Sequence, residues 1–213
     1  TVSGKLKATG VKIDVTAGTS TAYGVRVDVS DIPINEQAWT GFTYHGDAEL
    51  NNLDVTVTTS TSTTAYGVFA TAKALLYTTA NFEARKTSAG WSANNYAQWK
   101  AVSRLDQSFA DYARVVVNGG TYTVNAATTT AYGAFSNTTS VAADKSKAVA
   151  AEMILKNATF NVTTNGTTYA YGVYSNGTTT VDGCKLIVQP KTTTAYGVYV
   201  YDGTTTVTNT TID

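Results

Sequence analysis

The sequence predicts an all-β chain: a single-stranded parallel β-helix (β-solenoid) with loop and helix insertions. Three observations carry this: a composition rich in strand formers, a nine-residue motif written five times, and a clean repeat near 25 residues. Thr makes up 41 of 213 residues, Val and Tyr are abundant, Pro occurs twice, and only 14% of the residues are charged. Thr, Val and Tyr suit a pleated, half-buried surface. The motif reads TSTAYGVRV at 19–27, STTAYGVFA at 62–70, TTTAYGAFS at 128–136, TTYAYGVYS at 167–175 and TTTAYGVYV at 192–200.

The motif tyrosines are spaced by 43, 66, 39 and 25 residues. The last interval holds no evident insertion, so it is the unit; the others read as one or two units plus inserted segments. Periods of this size mean a solenoid or a propeller. The unit divides into three short strands, CKLIVQP, TTAYGVYVY and TTTVTNTTI, with Lys191 and the pair Asp202-Gly203 at turns. A propeller blade needs four strands and about 40 residues. Three strands in about 25 residues make one coil of a parallel β-helix, right-handed by prior. One coil cannot bury its own face, so residues 1–213 read as one stacked domain.

Strand alternation assigns the faces. Setting Arg26 and Asp28 outward puts Tyr23, Val25 and Val27 inward, with Ala22 and Gly24 outward. This register predicts an interior stack of Tyr23, Tyr66, Tyr132, Tyr171 and Tyr196, like on like. It also predicts an outward column of Phe69, Phe135, Tyr174 and Tyr199, joined by Tyr201, as a candidate contact surface. The single cysteine, Cys184, excludes an internal disulfide and reads as buried and inert, with Lys185 outward.

Three segments break the pattern. Residues 30–50 form a loop with Trp39, Phe42 and Tyr44. Residues 80–113 lose β character: Trp91, Tyr96, Trp99, Val102, Phe109 and Tyr112 fall near helical spacing, and Ser92 suits an N-cap. A helix is therefore expected over about 93–112. Residues 138–152 read as a shorter loop or helical turn. Trp39, Trp91 and Trp99 all lie in insertions, where they either pack on the solenoid flank or meet a partner. They are candidate insertion contacts, because solenoid insertions often gather on the functional face.

Net charge is zero and no block of like charge occurs, which points away from nucleic acid and anionic membranes. No apolar run is long enough to span a membrane, and no signal peptide is present. The eleven Asp and four Glu are scattered rather than paired, as glycoside or polysaccharide cleavage would need. No catalytic, cofactor-binding or metal site is expected, and the chain reads as a non-enzyme. The lone His45, with Asp47 and Glu49 nearby, is too sparse a set for a metal or acid/base centre. The six Asn-x-Thr sequons read first as turn asparagines and second as glycan acceptors. The chain opens on Thr1 and stops within a repeat, so it is expected to be a mature or excised piece, or a subunit whose ends are covered.

The TAYGVY…GTTTV repeats resemble those of parallel β-helical surface proteins of bacteria, such as autotransporter passenger domains and large repetitive adhesins. The resemblance covers the repeats, roughly two thirds of the chain, and leaves the 80–113 segment unmatched. It implies an extracellular, cell-surface stalk, adhesin or fibre and brings no catalytic motif. The leading expectation is a structural or adhesive module whose partners are other copies stacked end to end, neighbouring solenoid segments or surface glycans. Open β-helix ends are unpaired edges that otherwise need caps. The alternative is a carbohydrate-binding or polysaccharide-cleaving β-helix of the lyase or tailspike kind, using the aromatic column. A minor alternative is ice binding by Thr-x-Thr rows such as those at 56–63 and 206–210.

Overall fold

β-Branched and aromatic residues dominate the chain, and strands are what they form. The computed structural model describes residues 2–29, 44–61, 63–76, 79–80, 83–84, 90, 92–102, 108–110, 112–140, 151–166, 168–191 and 194–213. The strands are β1 (Val2–Thr9), β2 (Lys12–Ala17), β3 (Ala22–Asp28), β4 (Tyr44–Thr59), β5 (Ala65–Leu76), β6 (Ser108–Ala110) and β7 (Tyr112–Ala126). They continue with β8 (Ala131–Ser140), β9 (Ala151–Lys156), β10 (Thr159–Thr164), β11 (Ala170–Asp182), β12 (Lys185–Pro190), β13 (Ala195–Thr208) and β14 (Thr211–Ile212). A helix, α1, spans Ala93–Val102. All fourteen strands join one sheet. Among the described residues every pairing is parallel except that of β5 with β6. The chain is thus all-β and mostly parallel, in keeping with a β-solenoid.

The pairings sort into three ladders. The first runs β1, β4, β7, β9, β11, β13, using the early part of β4 and β7 and the late part of β11 and β13. The second runs β2, β4, β7, β10, β12, β14. The third runs β3, β5, β8, β11, β13 and carries the repeated motif. In it Tyr66 pairs with Tyr132, Tyr132 with Tyr171, and Tyr171 with Tyr196, so each copy of the motif lies beside the next.

One continuous core lies between the ladders. The first ladder contributes Leu50, Val117, Met153 and Leu155; the second contributes Val55, Tyr122, Phe160 and Leu186. The third contributes small residues: Ala65, Val68, Ala131, Ala134, Ala170 and Val173. Large side chains of the second ladder thus meet small ones of the third. Cys184 is buried and Lys185 exposed, as expected.

Between the first and second ladders the chain turns at a left-handed residue, followed in β7 by a second one, Gly120 (φ 94°). Gly10, Asn52, Gly119, Asn157, Gly183 and Asn209 occupy this corner, with φ between 51° and 69°. The insertions leave from a different corner. Each follows a third-ladder strand and precedes a first-ladder strand: after β3, after β5 and after β8. They are shorter than expected, because residues 44–50, 112–113, 138–140 and 151–152 are strand. β11 and β13 pass the same corner without insertion, with a register irregularity between Ser175 and Asn176.

Of the expected helix over 93–112, Ala93–Val102 is helix and Ser108–Ala110 is strand, while 103–107 and 111 lie outside the described residues. The start of the helix is as anticipated: Asn95 N–H donates to Ser92 Oγ at 3.2 Å. Phe109 instead sits in β6, opposite Leu75 of β5. There strand pairing overrides helical spacing, as tertiary context commonly does.

Candidate functional site

The motif strands build an aromatic surface, and its geometry corrects the expected register. Alternation holds from Ala131 through Gly133 and breaks between the glycine and Ala134. A Cβ on Gly133 would lie 2.9 Å from Val162 Cγ2 and 2.6 Å from Gly172 O, so Gly133 faces the core. Ala134 is also buried in the core. Two successive inward residues bring Tyr132 and Phe135 onto the same side, in edge-to-face contact at 5.0 Å. The same contact joins Tyr66 to Phe69 at 5.0 Å. The tyrosines therefore stand outside the core cluster, beside the Phe69 column: Tyr23, Tyr66, Tyr132 and Tyr196 are half-buried and Tyr171 is buried, while Phe69, expected outward, is buried as well. Gly24, expected outward, likewise faces Val55 and Val57. Tyr122 lies in the core cluster, stacked on Phe160 at 4.9 Å.

The stacking itself is as the repetition requires. The motif tyrosines stack face to face at 4.9–5.1 Å with interplanar angles of 4–9°. Beside them Phe69 stacks on Phe135 at 5.2 Å, Phe135 on Tyr174 at 4.9 Å, and Tyr174 on Tyr199 at 5.3 Å. Tyr201 joins at 6.3 Å from Tyr174. At the other end Arg26 replaces the second aromatic, with its guanidinium 4.8 Å from the Tyr23 ring centre and 5.8 Å from that of Phe69. A cation over a ring continues the column electrostatically. Burial pushes the phenols upward: Tyr66 and Tyr171 to about 12, helped by neighbouring tyrosines that oppose a second negative charge.

This arrangement bears on sugar binding. Stacking on a sugar uses a ring face, and here ring faces are covered by the neighbouring rings. Only edges remain outward along the columns, until they end at Tyr196 in one and at Tyr199 and Tyr201 in the other. The acids on the strands that carry the columns are Asp28, Asp182 and Asp202, and all are engaged. Asp28 accepts from Arg26 Nε at 3.1 Å. Asp182 accepts from Thr208 Oγ1 at 2.7 Å and Asn209 Nδ2 at 2.9 Å, which holds its carboxyl below the ordinary range. Asp202 accepts from the Gly203 N–H at 2.8 Å.

The first ladder carries the charged surface. Lys7 pairs with Glu49 at 3.1 Å, and Arg114 with Glu152 at 2.9 Å; Tyr112 also donates to Glu152. His45 lies edge-on to Tyr112 at 5.7 Å. Among the described residues no group of three or more His, Cys, Asp or Glu could hold a metal. The second ladder exposes hydroxyls, but each column is mixed: Asp14, Thr56, Thr123, Asn161 and Ile187 share one. Of the insertion contacts, Trp39 and Trp91 lie outside the described residues, and Trp99 lies on α1.

Two features escaped the sequence reading. One is the inward glycine of the motif. The other is the left-handed corner, whose signal is an Asn or Gly at the same place in every unit: Gly10, Asn52, Gly119, Asn157, Gly183, Asn209. Comparison with known proteins finds no matching family model, curated protein or solved structure.

Proposed function

We propose that the chain is a structural module displayed outside the cell, which stacks end to end with other copies or neighbouring solenoid segments. In this reading it is a right-handed, single-stranded parallel β-helix with three strands and about 25 residues per coil. The pairing of Tyr171 with Tyr196 supports the coil length, and the usual sense of parallel crossovers supports the hand.

One observation carries the reading: both ends of the ladders are open. Among the described residues β1 and β2 pair only with β4, β13 only with β11, and β14 only with β12. Core columns meet solvent there, with Leu6 48%, Val11 42%, Val207 42% and Ile212 51% exposed. A parallel edge offers a row of unpaired N–H and C=O groups to another strand. The two edges are made of different strands, so their contact is head to tail and generates an open fibre.

Sedimentation velocity and electron microscopy over a micromolar concentration series test this. The native chain should form filaments with an axial repeat near one molecule's length. Ile212→Lys should stay discrete at the same concentrations. Discrete particles for both proteins would remove the proposal.

A further inference from the structure

The corner between the first and second ladders follows a rule that reaches past one molecule. Its residues alternate strictly: Gly10, Asn52, Gly119, Asn157, Gly183, Asn209. The cause is steric. A Cβ on Gly119 would fall inside van der Waals contact of Asn52 Oδ1, and one on Gly183 inside contact of Asn157 Oδ1. Asn52 and Asn157 each lean toward the following level and fill the space a Cβ would need there. Gly and Asn are also the residues that best tolerate the left-handed backbone.

The two ends of this column are complementary. Gly10 has φ +62° and nothing within 4 Å of its Cβ position. Asn209 closes the other end, with its Nδ2 turned back to Asp182 Oδ1 of the preceding level at 2.9 Å. The position beyond Asn209 therefore calls for a left-handed glycine. We propose that this glycine is Gly10 of a second copy, with β1 of one molecule on β13 of the other and β2 on β14.

The proposal rests on the end-stacking reading and adds its register. In that register Ala8 continues the column Leu50, Val117, Leu155, Val181, Val207. Ile13 continues the column Val55, Tyr122, Phe160, Leu186, Ile212. Asp14 and Asp213 meet on the outer side, each already facing a lysine: Lys12 at 3.3 Å and Lys185 at 3.6 Å. Among the described residues the third ladder has one strand fewer than the other two, so the junction closes two sides and leaves a strand-wide gap on the third.

The test is a four-protein comparison by sedimentation velocity: native, Gly10→Ala, Asn209→Gly and the double variant. An added methyl at Gly10 meets open space within one molecule but Asn209 Oδ1 across the junction. Gly10→Ala should weaken association about tenfold or more, and removing Oδ1 in Gly10→Ala/Asn209→Gly should restore it. Native-like association of Gly10→Ala, or no rescue in the double variant, overturns the register. If Ile212→Lys still blocks association in that case, end stacking survives and only the register falls. If the native chain never associates, both fall. A second test does not depend on tolerance of alanine. Cysteines at positions 10 and 209, in a Cys184→Ser background, would sit on adjacent strands within disulfide reach. Oxidation should give a ladder of covalent multimers on a non-reducing gel; monomer alone overturns the register.

Discussion

Gly133 shows why the motif keeps its glycine. A methyl there would lie 2.6 Å from Gly172 O of the next strand in the same ladder and 2.9 Å from Val162 Cγ2 of the second ladder. Backbone cannot yield as a flexible side chain would. Gly133→Ala should destabilise by about 1–3 kcal/mol, the usual cost of overpacking, measurable by urea denaturation. The tyrosine column makes a second prediction. Tyr66 and Tyr171 keep their protons to about pH 12, above the ordinary phenol value of 10, chiefly because of burial. The folded chain thus holds protons that the unfolded chain releases. That contribution is intact below pH 10 and is lost as pH rises through 12. Melting temperature should fall across this window, in step with tyrosinate absorbance; a flat profile would mean the phenols ionise freely in the folded state.

At the scale of elements, stability divides unevenly. Strands of the ladders share one core, whereas α1 lies in an excursion between β5 and β7. Its N-terminus is held by the Ser92 cap, a bond from Asn95 N–H to Ser92 Oγ of 3.2 Å. Ser92→Ala should cost the helix about 1 kcal/mol. Amide exchange in α1 should then quicken while exchange in β7 and β8 stays unchanged, because the core does not depend on the excursion. A parallel change in β7 would show that the excursion is coupled to the ladders. All insertions use one corner for a related reason. The corner of left-handed Gly and Asn is sterically specified at every level, and the third and second ladders meet tightly at the glycines. The remaining corner, between the third and first ladders, is where added chain disturbs least.

At the scale of the molecule, the levels depend on their neighbours, and the end levels lack one. Solenoid stability is close to a sum of nearest-neighbour terms, so the open edges are where association has most to gain. Ile212→Lys acts there by placing a charge in a column that continues Leu186. Burying an unpaired charge is far more costly than leaving it in water, so the effect should fall on association and leave the monomer's melting nearly unchanged.

The sequence alone determined the all-β class, the recurrence of the motif in adjacent strands and the burial of Cys184. These follow from local propensity and from a period, both of which are written in the order of the residues. It also placed the start of α1, because a cap is a local hydrogen bond. Only the tertiary structure decided which face the tyrosines take. The strict two-residue alternation fails between Gly133 and Ala134, where the approach of another ladder turns two successive residues inward, and nothing local in Ala-Tyr-Gly announces that approach. The same holds for the alternating corner. Gly119 and Asn52 are far apart in the chain, and their exclusion of each other's side chains exists only once the levels are stacked.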